Sequence, residues 1–302
     1  MNCARKFVGL VSVFILIVLL TFVQRSAAGS RQDQLAHFGI GARALALNSA
    51  YTAVANDYTA PFWNPSAMDF FSTTKLGGMW THMSLNRTLT YAGVIVPTHR
   101  WGAFAVAWAG LGVKEIEART NNTREPDRLF NYNENTFYLS YAYRLLPFLS
   151  IGITGKFFNF QTLDATANGT GVDVGLLFAP SRKVRFGLVA QDLRSELKWS
   201  SATHEKFIPN YRLGLAIEPF SNLLVATDYH RTNEGASRLS FASEIIALNV
   251  LKIRCGIGES RFTAGLGVTF QAKGLFLNLN YAIATDHFDL GVSDGFDMSL
   301  VF

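Results

Sequence analysis

The sequence predicts an all-β fold, a transmembrane antiparallel β-barrel of about fourteen strands. Three observations carry this: side chains alternate in polarity over many stretches of about ten residues, the connections alternate in length, and the chain ends on an aromatic. In Arg261–Phe270, Phe262, Ala264, Leu266, Val268 and Phe270 share one face, while Arg261, Thr263, Gly265, Gly267 and Thr269 share the other. A helix would spread those apolar residues around its circumference; a strand puts one face toward lipid and one toward water. The same two-residue period runs through Leu275–Ile283 and Tyr211–Ile217.

The elements follow in chain order. Arg5 and Lys6, the apolar run from Phe7 to Val23 and the small residues Ser26, Ala27 and Ala28 read as a secretory signal peptide over residues 1–28. An uncleaved anchor is the alternative, but about 17 apolar residues is near the lower limit for spanning. Cleavage would remove Arg5, Lys6 and Arg25 and no acid, taking the formal charge from +5 to +2. The basic balance is therefore mostly a targeting signal and gives no argument for nucleic acid. Only Cys255 would remain of the two cysteines, so no internal disulfide is expected.

Residues 29–72 form an amino-terminal segment, and residues 73–302 carry the strands. The alternation gives spans near 73–83, 88–97, 101–112, 132–144, 148–161, 169–180, 183–194, 208–218, 221–231, 238–247, 250–258, 261–270, 274–284 and 295–302. Short connections lie near Pro97–Arg100, Leu145–Pro147, Pro180–Arg182, Pro219–Asn222, Leu248–Asn249 and Gln271–Lys273, and proline in four of them favours turns. Longer connections, Val113–Asn131, Gln161–Asn168, Ser195–Phe207, Thr232–Ser237 and Thr285–Asp294, lie between them, although two on this second side, around Ser84–Arg87 and Gly258–Ser260, are short. Short turns on one side and long loops on the other suit an outer-membrane barrel with periplasmic turns and external loops. The stretch Trp101–Ala109 is apolar on both faces, consistent either with a plugged lumen or with a miscounted strand. A soluble β-sandwich would also alternate, but a closed barrel in lipid accommodates both the apolar face and the sheet edges.

Overall composition agrees. With 16 % charged residues, 13 % aromatics and 25 glycines, the chain is less charged than an ordinary soluble domain. Charged residues inside the predicted strands, Asp173, Arg185, Arg212, Glu218, Asp228, His230, Glu244, Lys252 and Arg254, all fall in phase with the polar face. They are expected in the lumen, either as a bracing network or as the lining of a ligand path.

Chemistry is sparse. His37, His82, His99, His204, His230 and His287 show no metal-ligand spacing. Gly265-Leu266-Gly267 lies inside a strand and lacks the setting of a phosphate cradle, and no Gly-x-Ser-x-Gly occurs. Neither an enzyme nor a cofactor is expected.

Residues 39–68 contain Gly41-Ala42-Arg43-Ala44-Leu45, then Ala50-Tyr51-Thr52-Ala53-Val54-Ala55-Asn56-Asp57, then Phe62-Trp63-Asn64-Pro65-Ser66-Ala67. This stretch resembles the amino-terminal signature of the PorV/PorQ family of outer-membrane barrels, which belong with the FadL-like barrels. The resemblance covers about thirty residues and departs from the usual pattern at Asn48 and Ser49, where two glycines are commoner. It implies a plug or hatch in the barrel mouth, with Gly41, Arg43, Tyr51, Asp57, Trp63, Asn64 and Pro65 as its motif. Pro65 disfavours helix at Asn64, a short helix is expected within Leu35–Val54, and Arg43 could pair with Asp57.

Phe296, Met298, Leu300 and Phe302 share a face, and the ending, with Leu300 and Phe302, resembles the signal read by the barrel-assembly machinery. Asp297 stands where that signal usually has glycine. The resemblance implies passage of hydrophobic small molecules, with Phe157, Phe158 and Phe160 lining or flanking the route and the loops 113–131 and 195–207 forming the outer rim. The alternative it implies is a docking or shuttle component for secretion-system proteins; a structural barrel without a ligand is the third reading. The expected surroundings are outer-membrane lipid in a bacterial cell.

Overall fold

The structure is a computed structural model describing residues 30–31, 35, 38–98, 100–232, 237–248, 250–258, 261–285 and 292–302. The signal-peptide reading, the histidines His37, His99 and His287, and parts of several connections lie outside the described residues.

Fourteen strands make the wall: β2 (Lys75–Met83), β3 (Arg87–Pro97), β4 (Ala103–Ala118), β5 (Arg128–Leu146), β6 (Leu149–Gln161), β7 (Thr166–Ser181), β8 (Val184–Trp199), β10 (Asn210–Phe220), β11 (Leu223–Thr232), β12 (Ser237–Ala247), β13 (Leu251–Gly258), β14 (Arg261–Ala272), β15 (Leu275–Thr285) and β16 (Val292–Val301). Each pairs antiparallel with the next in this order, and β16 pairs with β2, so the sheet closes. Two short strands lie outside this order. β1 (Ser30–Arg31) pairs parallel with β9 (His204–Phe207), which pairs antiparallel with the far end of β8. At the seam Phe296 stands opposite Trp80, and Thr74 and Phe302 exchange backbone hydrogen bonds.

The predicted strand count and positions agree with the structure. Two of the expected loops do not. The hairpin of β4 and β5 continues into 113–131 as far as Ala118 and Arg128, across an irregularity between Val113 and Ile116. The stretch 195–207 is the end of β8, a turn and β9. In the second continuation Leu197, Trp199 and Phe207 pack inward while Lys198, His204 and Lys206 face out, so the outward apolar face that marks a membrane strand is absent there. β5 has 19 residues, roughly 60 Å along the strand, whereas the apolar band is about 25 Å tall and strands tilt by about 35–45°. The long-loop side of this sector therefore stands clear of the membrane as a wall.

Outward faces are apolar along strand after strand: Phe104 and Val106 on β4, Phe137, Leu139 and Tyr141 on β5, Ile253 and Ile257 on β13, Phe262, Leu266 and Phe270 on β14. Inward, β4 presents Ala103, Ala105, Ala107 and Ala109, all buried in the same cluster as Tyr51, Trp63 and Tyr138. That decides the doubly apolar stretch: the strand is real, and its inner face is apolar because it meets protein rather than water.

Leu266 is 52 % exposed in the middle of β14 and points outward. Leu266→Arg is expected to cost about 2–4 kcal/mol if it sits at the bilayer midplane. Urea titration of the barrel refolded into lipid vesicles measures it, and an unchanged midpoint would remove Leu266 from that depth.

Candidate functional site

Residues 38–71 lie inside the cylinder. They form three short helical pieces, α1 (Ala42–Ala46), α2 (Ala60–Trp63) and a 3-10 helix (Pro65–Phe70), joined by turns. Among the described residues of Leu35–Val54, α1 is five residues long, and Leu35 and Phe38 are also helical. The continuation of α1 is broken by Asn48 and Ser49, both in the left-handed region at φ 48° and 64°. Side chains other than glycine are strained there, which explains why glycines suit these positions. Ser49→Gly is expected to stabilise the barrel by about 0.5–1 kcal/mol, the left-handed strain relieved less the entropy glycine adds to the unfolded chain. A lower urea midpoint would contradict it.

The inner segment is held by carboxylates of the wall. Glu244 on β12 accepts from Arg43 Nε and Nη2 at 2.8 Å each. The same carboxylate accepts from Arg254 on β13, whose Nη1 donates to Asn280 Oδ1 at 2.9 Å. Asn280 Nδ2 donates to Asp297 Oδ1 at 2.6 Å, and Asp297 Oδ2 accepts from the backbone N–H of Ala42 at 2.7 Å. The network thus starts at Arg43 and returns to the residue beside it, crossing β12, β13, β15 and β16. Arg43 is engaged by Glu244, whereas Asp57 connects to it through Tyr51: Arg43 Nη1 donates to the Tyr51 hydroxyl at 3.1 Å, which donates to Asp57 at 2.5 Å. This corrects the expected direct pair. The turn 51–59 is closed by Asp57 accepting from Thr59, which keeps its carboxylate local. Burial pushes the Tyr51 phenol well above its ordinary range, keeping the proton it donates.

A second attachment is at Asp228 on β11, whose carboxylate accepts from the backbone N–H groups of Tyr51 and Thr52 at 3.1 and 2.9 Å. Trp63 donates from its indole to the Ile40 carbonyl at 2.6 Å and lies under the Arg212 guanidinium, 4.8 Å from the ring centroid. Arg212 also donates to Gln191, which donates to the Phe62 carbonyl. Asn64 has extended backbone, and its amide donates to the carbonyls of Thr52 and Leu176 while its oxygen accepts from Ser66. Gly41, at φ 99°, supplies the turn into α1. Pro65 opens the 3-10 helix, where a missing N–H costs nothing.

All nine charged residues placed by phase on the inner face are directed there. Asp173, Arg212, Asp228, His230, Glu244 and Arg254 are buried; Arg185, Glu218 and Lys252 are half-buried at the short-turn end, where Arg185 and Glu218 pair at 2.8 Å. Asp173 belongs to a group that phase alone did not assemble. Lys156 Nζ lies 3.0 Å from Asp173 and 2.6 Å from Asp192, and all three are buried.

The chain aligns with a Pseudomonas aeruginosa FadL homologue at TM-score 0.61 and 11 % identity, over 87 % of this chain and 98 % of that one. The Pseudomonas putida toluene transporter TodX gives TM-score 0.61 at 10 % identity, over 87 % and 97 %. The Ralstonia pickettii toluene transporter TbuX gives 0.58 at 12 %, over the same shares. This chain has the fold of the FadL-type barrels. No family model and no curated protein matches it.

Within this barrel, three inner-face residues escaped the sequence reading. Lys156 carried a signal, since it alternates with Ile153 and Phe157 on β6 and therefore faces inward with Thr154. Asp192 carried none: positive φ at Asp192 and Arg194 marks a break in β8 that reverses the phase. Asp297 was visible only as a departure at the carboxyl end, and its binding of Ala42 supplies a reason for an acid there. Of the three aromatics on β6, Phe157 faces lipid, while Phe158 and Phe160 are buried inward, Phe158 stacked on Phe207 at 4.8 Å; this corrects the grouping of all three along one route. Leu300 lies near the end of β16, and Phe302, just past it, is exposed.

Proposed function

We propose that this chain is a bacterial outer-membrane barrel of PorV/PorQ type, in which the amino-terminal segment acts as a plug and hydrophobic cargo is bound or moved. The observation that carries the reading is the filled lumen. Tyr51, Trp63, Phe62, Tyr58 and the alanines of β4 form one buried core across the cylinder, an arrangement unsuited to a water-filled pore but fitting for a gate. The FadL-type fold supports hydrophobic cargo, because solved barrels of this shape include toluene transporters. The motif residues Gly41, Arg43, Tyr51, Asp57, Trp63, Asn64 and Pro65 serve as the plug's anchors in this reading.

Bacterial cells carrying the barrel in their outer membrane should take up a labelled monoaromatic hydrocarbon faster than cells without it. Arg43→Ala and Asn64→Ala should change that rate while the barrel still folds. No difference in uptake with properly folded protein would overturn the proposal.

The wall raised by β4 to β8 on the long-loop side supports a second reading, a docking surface for secretion-system proteins. Copurification of exported proteins with the barrel, without bound hydrophobic molecules in its mass spectrum, would favour it.

A further inference from the structure

The outward apolar run of each wall strand stops at the head-group level of the membrane, and the next outward residue toward the long loops faces that level. On β5, β6 and β7 these residues are neutral: Asn135 beyond Phe137, Asn159 beyond Phe157, and Thr170 beyond Val172. A different chemistry occupies the sector from β8 to β11. The break in β8 that turns Asp192 inward leaves Arg194 exposed, Lys206 on β9 faces out opposite Glu196, and Arg231 lies beyond Tyr229 on β11. All three cations are exposed, and among the described residues their side chains have no hydrogen-bond or ion-pair partner. The outward acid of the sector, Glu196, lies 3.5 Å from Lys198. Beside these cations the wall is hollowed. Tyr229, Leu239, Phe241 and Ile257, which point outward on β11, β12 and β13, line a groove of about 420 Å³. Ser237, opposite Arg231 in the ladder, lies at its long-loop end. The groove is within the apolar band, where hydrocarbon fills a hollow and water does not.

We propose that this sector of the outer wall binds phosphate-bearing lipid of the leaflet on the long-loop side: an acyl chain lies in the groove with its head group on Arg231, and Arg194 and Lys206 hold phosphates of the same leaflet. A guanidinium meets phosphate through two parallel N–H donors, while the lysine adds a point charge. Basic side chains at a membrane surface draw anionic head groups to them. The apolar groove and the cations above it match the two ends of one such lipid. The site lies outside the cylinder and goes beyond the cargo reading, since it concerns the lipid around the barrel and not what the lumen carries.

Native mass spectrometry of the full-length barrel, released from detergent micelles containing equal amounts of dioleoyl phosphatidic acid and dioleoyl phosphatidylcholine, tests the site. The wild type should retain phosphatidic acid over phosphatidylcholine by about tenfold, and the triple variant Arg194→Gln, Lys206→Gln, Arg231→Gln should bring that ratio to within about twofold. Removing three cations elsewhere, in Lys114→Gln, Arg119→Gln, Arg124→Gln on the β4 and β5 hairpin, should leave the ratio at the wild-type value. Leu239→Trp fills the groove and should lower retention of phosphatidic acid by about threefold with all cations in place. Heat-modifiable migration on gels establishes that each variant is folded. Equal retention of the two lipids by the wild type, an undiminished ratio in the folded triple variant, or the same loss in the hairpin variant overturns the site. Undiminished retention in Leu239→Trp removes the chain from the groove and overturns it as well. Lipid-free barrel dimers that fall apart in Leu239→Trp would make the groove a contact between copies and overturn the lipid assignment. The lipid ratio is read without any uptake measurement, so this proposal and the cargo reading fail separately.

Discussion

Replacing Lys156 by methionine is expected to cost about 3–5 kcal/mol of folding stability, because it leaves two buried carboxylates without their shared cation. Lys156 reaches Asp173 on β7 and Asp192 at the break in β8, at 3.0 and 2.6 Å. Asp192 also accepts from Ser195 and Asn210, and its own N–H donates to Asp173. The group thus holds the irregular part of β8 against its neighbours, where the regular ladder is interrupted between Thr170 and Val174. Removing one charge strands the others, which is far more costly than removing all three together. The triple variant Lys156→Met, Asp173→Asn, Asp192→Asn should therefore recover most of the loss. Urea titration of both proteins in lipid vesicles measures the difference. Equal midpoints for wild type and Lys156→Met would show that the ammonium does not compensate these acids.

The second large effect is expected at Gly152, where a leucine should leave the barrel closed but force the Asn64-Pro65 turn out of place. A Cβ at Gly152 would lie 2.3 Å from the backbone nitrogen of Ser66 and 2.5 Å from the carbonyl carbon of Pro65. Backbone cannot yield as a flexible side-chain tip does, so either β6 or the inner segment must move. β6 is bonded along its length to β5 and β7, whereas the inner segment is held by separate side-chain attachments. The segment is therefore the part that gives way. Overpacking of this kind costs about 1–3 kcal/mol or more. Planar-bilayer recordings should show conductance in Gly152→Leu well above that of the wild type, and limited proteolysis should cut within residues 38–71 only in the variant. Wild-type conductance and protection in folded Gly152→Leu would show that the turn tolerates the side chain. Wall glycines elsewhere meet the segment as closely, as Gly187 does at the Thr52 carbonyl, so the fit is distributed around the cylinder.

Much of this was legible from residue order. Strand positions, their number and the lumen phase of nine charged residues follow from a two-residue period, which is a local property: neighbouring side chains on a strand must face opposite sides, and lipid and water select opposite chemistries. The turn at Asn64-Pro65 was legible for the same reason, since proline restricts its own neighbour. What only the tertiary structure decided depends on contacts between residues far apart in the chain. Arg43 meets Glu244 rather than the nearer Asp57 because α1 lies against β13 to β16, while Tyr51 stands between Arg43 and Asp57. Asp297 binds Ala42 across 255 residues, and no spacing rule announces that. Asp192 joined Lys156 because a break in β8 locally reverses the phase, and the loops 113–131 and 195–207 became strand at their ends because hydrogen-bond ladders continue past the membrane without needing an outward apolar face. Alternation records which side of the sheet a residue occupies; which inner residues meet is set by barrel closure and by the path of the segment folded inside it.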